Sequence, residues 1–197
     1  MHGLIGRSIQ CFVCDTYGPD VWESICQQAD IGIDNFEAML IYDNALGEAA
    51  IASAMRRLDR SRADLLEDVG TYLVAQPEVD TMRRLLRFGG DTFQEFLHSL
   101  DDLNDRARLA LPELDFPVLE LKVHSESSYS LSFRWSVPGF GAMAVGILRA
   151  MADDYGALVV LDRVSVVDDF GDSDTISISL LDAEFASGRE FDLGAHL

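Results

Sequence analysis

The chain has 197 residues, enough for one domain with a substantial core and too few to expect a second. A hydrophobic content of 48% and a charged content of 25% are ordinary for a soluble globular protein, and a formal charge of −19 argues against nucleic acid and anionic membrane surfaces, which would repel it. No run of about 20 apolar residues occurs, the start lacks a signal-peptide pattern, and three cysteines suit a reducing compartment better than a disulfide scaffold, so a cytoplasmic location is expected.

In chain order, residues 2–16 are predicted as a helix with Leu4, Ile5, Ile9, Phe12 and Val13 apolar, closed by Tyr17-Gly18-Pro19. A second helix runs from Asp20 to Ala29 and carries Val21, Trp22 and Ile25. Ile31 to Asn35 is a connector, and Phe36 to Tyr42 has a mixed pattern without a clear period. Residues 45–58 and 61–76 read as two more helices, the second with Ser61 as N-cap and Asp64 three residues on. Pro77 ends that helix or opens the next, which reaches about Phe88. After Gly89-Gly90 a new helix begins, capped by Asp91 or Thr92. Phe93, Phe96, Leu97, Leu100 and Leu103 form its inward stripe, and the polar Asn104 follows directly at the stripe's edge.

After Pro117 the period changes from helical to alternating. Val118 to Val123 and Tyr129 to Val137 are predicted strands joined by a turn at Ser125 to Ser128. Residues 140–155 return to helix, with Met143, Ile147, Leu148 and Met151 on one face. Leu158 to Val167 and Thr175 to Leu181 are two further strands, joined by an acidic turn at Asp168 to Asp174. The order of elements defines an α+β chain. With no repeat and no linker, residues 1–182 should form a single domain in which both halves share one core. Residues 183–197 read as an acidic tail expected to fray.

Few residues suggest chemistry. Cys11 and Cys14 are spaced as CxxC and face one side of a helix. A metal would need two more ligands, of which Cys26 could supply one, and a redox motif would need a preceding strand. Packing is the simpler role for all three thiols. Asp101-Asp102, Asp153-Asp154 and Asp168-Asp169 sit on helix faces or turns, far apart in sequence, and read as solvated surface. No histidine lies near a G-x-S-x-G nucleophile elbow, so nothing points to an enzyme.

The stretch from Leu85 to Val137 resembles the haem nitric-oxide/oxygen-binding (H-NOX) family. That family's pattern is a Gly-rich start, F-x-x-F-L-x-x-L-D-x-L-H, P-x-L-x-x-P, and a strand with Y-x-S-x-R. Phe93, Phe96, Leu97, Leu100, Asp101, Leu103, Pro112, Leu114 and Pro117 match it. The start, Met1-His2-Gly3-Leu4-Ile5, is similar to the family's M-x-G-x-I opening, and the likeness continues through Gly139-Phe140 and Gly146-Ile147-Leu148. It implies an α-helical N-terminal half packed on a C-terminal antiparallel sheet with one long helix. It also places Ile5, Asn104, Pro117, Phe133, Trp135 and Val137 at haem-pocket positions, with Pro117 matching the proline that presses on the cofactor. At Pro117 an ordinary strand-opening proline is the competing reading.

The departures from the family are specific. Its iron ligand is the histidine that ends L-D-x-L-H, and here that residue is Asn104, whose amide is neither soft nor basic. Its Y-x-S-x-R grips the haem propionates, and here those positions are Phe133, Trp135 and Val137. An arginine fork is the strongest grip on a carboxylate, and an apolar row supplies none of it. Arg134 lies on the opposite face of the strand. His98, six residues before Asn104, is offset by about 240° and about 9 Å along the helix, so it cannot replace the ligand.

Haem, the cofactor implied by the family, is therefore not expected to bind in the family manner. An apolar ligand or a partial collapse should occupy its space. An empty void of haem size, at about 24 cal/mol per Å³, would exceed a domain's net stability of ~5–15 kcal/mol. The resemblance implies a stand-alone sensory or regulatory domain, degenerate in haem ligation, that acts through a partner signalling protein. A histidine kinase and a nucleotide or diguanylate cyclase are the expected kinds of partner. The alternative is a haem-based nitric-oxide or oxygen sensor with a non-standard ligand. Any signal should leave through the helix from Phe88 to Asn104 and the neighbouring N-terminal helices.

Overall fold

The computed structural model describes residues 1–76, 80–103, 117–134, 139–168 and 171–191. Helix α1 (Gly3–Tyr17) opens where the His2 ring accepts the Leu4 N–H, and it stops at Gly18, whose φ of 98° suits glycine alone. Pro19 then starts α2 (Pro19–Ala29), at a position where its missing N–H leaves nothing unbonded. The stretch without a clear period, 36–42, is a loop pinned from inside. Phe36 is buried with Tyr42 edge-on at 5.0 Å, and Ile41 bridges to His2. Asp43 caps α3 (Asn44–Leu58), and Ser61 caps α4 (Arg62–Ala75) as expected.

Helix α5 (Asp80–Arg87) is followed by Gly89-Gly90 and then α6 (Phe93–Ser99). Of the two candidate caps, Thr92 is the one used, in a reciprocal box with Glu95. The helix predicted to run from after Gly90 to Asn104 tightens after Ser99 into a 3₁₀ turn at Leu100–Asp102, and Asn104 lies outside the described residues. Phe93, Phe96, Leu97 and Leu100 are nevertheless all buried, and Leu103 packs on the same core.

Strands β1 (Val118–Ser125) and β2 (Ser128–Arg134), helix α7 (Phe140–Tyr155), and strands β3 (Leu158–Asp168) and β4 (Gly171–Asp182) complete the fold. The sheet order is β1-β2-β4-β3, and every neighbouring pair is antiparallel. The acidic turn predicted at Asp168–Asp174 is a correction: Asp168 pairs with Gly171, so most of that run is ladder. An acid can stay in the ladder here because Asp174 turns inward to partners on β3.

The single shared core is also revised. One cluster joins α6, α7 and the inner sheet through Phe93, Leu131, Leu148 and Ile176; a second joins α1 to α4 through Val13, Ile25, Ile51 and Leu65. They meet along α4 and α7, which cross backbone to backbone. A Cβ added at Gly70 would lie 2.0 Å from the Met143 carbonyl oxygen, and one at Gly146 would lie 2.0 Å from that of Glu67. Met82, Phe140 and Ile147 pack on both clusters.

The segment after β4 differs from the expected frayed tail. The Ala186 N–H donates to the Gly156 carbonyl (3.0 Å), and the Arg189 N–H donates to that of Asp154 (2.8 Å). These bonds hold residues 183–191 against the end of α7. Residues 192–197 lie outside the described residues.

Candidate functional site

The alternation of β2 turns Tyr129, Leu131 and Phe133 toward α6 and α7. Phe133 is buried, with its ring edge-on to Phe140 at 5.5 Å and 86°. Its cross-strand neighbours are Leu119 on β1 and Asp174 on β4. Asp174 is only 8% exposed. Its Oδ1 accepts from Arg163 Nη1 at 2.9 Å and from the Ser165 hydroxyl. A Cβ at Gly141 would lie 2.3 Å from the Asp174 carboxyl carbon. The carboxylate therefore rests on the first turn of α7, where the positive end of the helix dipole favours negative charge.

Opposite this row stands α6. Its Phe93 and Phe96 pack around the Tyr155 ring at 6.3 and 5.9 Å. His98 is exposed and touches the Tyr129 ring edge-on at 6.1 Å, as expected of a surface histidine rather than a ligand. The Leu121 N–H donates to Asp101 Oδ1 at 3.2 Å and ties the end of α6 to β1. Pro117 is buried immediately before β1. Ile5 is half-buried on α1 and packs in the helical cluster, not in the cluster that contains Phe133. Asn104, Trp135 and Val137 lie outside the described residues.

The three cysteines are free and lie in the helical cluster. Burial raises all three thiol pKa values, and that of Cys26, with Asp34 nearby, is pushed up to about 11. Protonated thiols are weak nucleophiles and weak metal ligands. Among the described residues no group of three or more His, Cys, Asp or Glu could hold a metal ion.

The sequence reading missed one polar centre. Asp154, assigned there to solvated surface, is 1% exposed. Arg83 Nε lies 2.8 Å from its Oδ1, Arg87 Nε 3.5 Å from its Oδ2, and Arg189 Nε 3.7 Å from its Oδ1. The Arg87 guanidinium lies over the rings of both Tyr155 (4.1 Å) and Phe191 (5.1 Å). A signal for this centre existed: Asp154 falls seven residues after Ile147 and three after Met151, on the apolar stripe of α7.

Comparison with known proteins identifies the domain. The Haem-NO-binding (HNOB) family profile matches residues 2–162, and the chain belongs to this H-NOX family. Soluble guanylate cyclase 89Da of Drosophila melanogaster is 24% identical over 161 residues, 81% of this chain and 24% of its own length. The chain thus spans about a quarter of the length of the curated relatives it matches. A Cs H-NOX mutant carrying 4-cyano-L-phenylalanine superposes with a TM-score of 0.77 at 14% identity, covering 94% of this chain and all of that one. An H-NOX protein from S. oneidensis in the Fe(II)NO state gives 0.76 at 16% identity, over 92% of this chain and all of its own. The α+β H-NOX fold expected from the sequence is the fold of this chain. No helix among the described residues is long and apolar enough to cross a membrane.

Proposed function

We propose that this chain is an H-NOX sensory or regulatory domain that no longer grips haem in the family manner and acts through a partner signalling protein. The observation that carries this reading is the inner-face pair of Phe133 and Asp174. Haem presents two propionates, and the family positions that grip them include that of Phe133. Here Phe133 is packed on Phe140, and the next residue across the sheet is a buried carboxylate. An incoming propionate would meet like charge where it needs a cation, and Arg163 on that face is bonded to Asp174. With asparagine at position 104 the iron lacks an imidazole as well. The residues present do not fit the cofactor.

With the clasp closed, the domain works through protein contact or through an apolar ligand smaller than haem. The partner class is a histidine kinase or a nucleotide or diguanylate cyclase, in keeping with relatives named as soluble guanylate cyclases. Three free thiols suit the cytoplasm as the place of action.

The test is the absorption spectrum of protein purified from haem-replete cells. No stoichiometric Soret band is expected. A sharp Soret band with one haem per chain would establish the competing reading, a gas sensor with a non-standard ligand. Asn104→His alone should leave haem binding weak, and recovery should also require Val137→Arg and Asp174→Asn.

A further inference from the structure

Helix α6 and the segment after β4 are far apart in sequence, yet both close on Tyr155. The Tyr155 hydroxyl donates to the Gly90 carbonyl at 2.9 Å, in the glycine pair that precedes α6, and its ring packs on Phe93 and Phe96. Its ring also carries the Arg87 guanidinium, which lies over the Phe191 ring as well. Arg83 reinforces the same clasp. Its Nε binds Asp154, its Nη2 donates to the Glu190 carbonyl at 3.0 Å, and its guanidinium lies 5.4 Å from the Phe191 ring centre. Arg189 Nη1 reaches the Ala75 carbonyl at the end of α4 (3.3 Å).

We infer that residues 183–191 form a strap whose docking is energetically coupled to the seating of α6, with Tyr155 and Arg87 as the joint. The physical basis is that one ring serves both contacts. Tyr155 cannot turn to follow a displaced Phe93 or Phe96 without leaving the face of Arg87, and Arg87 cannot move without uncovering Phe191. Gly90, where an added Cβ would lie 2.3 Å from the Glu95 side chain, packs directly on the first turn of α6 and passes the Tyr155 contact to it, while the strap is held by this clasp and two backbone bonds. A change that frees α6 therefore loosens the strap, and by reciprocity of coupling a change that frees the strap loosens α6. The inference rests on the reading of α6 as the element that carries the signal, and it adds the strap as the surface where the signal emerges.

Two variants of the intact chain test it by amide hydrogen exchange. Tyr155→Phe keeps the ring and removes the hydroxyl's bonds to both Gly90 and Arg87. It should speed exchange at the Ala186 and Arg189 amides roughly fivefold, the factor set by about one hydrogen bond. Phe191→Ala alters only the strap, and should speed exchange by a similar factor at the Glu95 and Phe96 amides, which open α6. In both variants the Leu131 and Ile176 amides of the central strands should keep wild-type rates. Wild-type rates at Glu95 and Phe96 in Phe191→Ala would overturn the inference, and so would uniform acceleration of every amide. Neither result depends on haem, so a Soret band would sink the proposed function while leaving this coupling to be judged on its own data.

Discussion

The two ends of α7 each hold a buried carboxylate, and they hold it differently. Asp174 comes from β4 to the first turn of the helix and is satisfied by one arginine and one hydroxyl. Asp154 belongs to the last turn and gathers Arg83, Arg87 and Arg189. The helix dipole explains the difference. Its positive end supports Asp174, whereas its negative end opposes Asp154, so cations must come from elsewhere in the chain. Those cations come from α5 and from the strap, and the unfavourable end of the helix has become the place where distant segments are fastened.

The comparison breaks most readily at Asp154. Asp154→Ala removes the carboxylate shared by Arg83, Arg87 and Arg189, the first two of them largely shielded from water, and should lose about 3 kcal/mol, measured by urea unfolding. A loss below that of Asp174→Ala would refute the ranking. The seam between the two clusters is next. Gly146→Ala drives a Cβ into the Glu67 carbonyl, on backbone that cannot swing aside. Overpacking of this kind costs about 1–3 kcal/mol. The midpoint of unfolding should fall, and an unchanged midpoint would mean that α4 and α7 separate freely.

Asp174→Ala should cost less than Asp154→Ala, about 2 kcal/mol for bonds to a charged group, because Arg163 is 27% exposed and can turn to water. Thr92→Ala removes the α6 cap and should cost about 1 kcal/mol, with faster exchange confined to the start of the helix. The smallest effect is on pH dependence. Backbone N–H groups of Asp91 and Thr92 hold the Glu95 carboxyl below its usual pKa. Its contribution is therefore present above the unfolded-state pKa and is lost as pH falls through the lower, folded-state one. Glu95→Gln should make the acid limb of the stability curve shallower, and an unchanged limb would show that the box does not act electrostatically.

Much of the fold was legible locally. Ser61, Gly18-Pro19, Gly89-Gly90 and the turn read at Ser125 to Ser128, which the structure tightens to its two central residues, mark element ends by their own chemistry, and helix and strand periods gave the interiors. The 36–42 loop was not legible, because Phe36 is buried against a ring and backbone that arrive from α1 and Tyr42. The 3₁₀ turn after Ser99 was missed because its leucines satisfy a helical stripe equally well.

The sequence by itself determined the family, the order of elements and the substitutions at the haem positions, since periodicity, caps and residue identity are properties of neighbouring residues. Only the tertiary structure decided which acids are buried, how α4 meets α7 and that the tail is a strap. Arg83 and Asp154 are separated by 71 residues, and Arg83 and Glu190 by 107. A carboxylate reads the same on a solvated face as on a buried one until the chain brings its guanidinium partners to it.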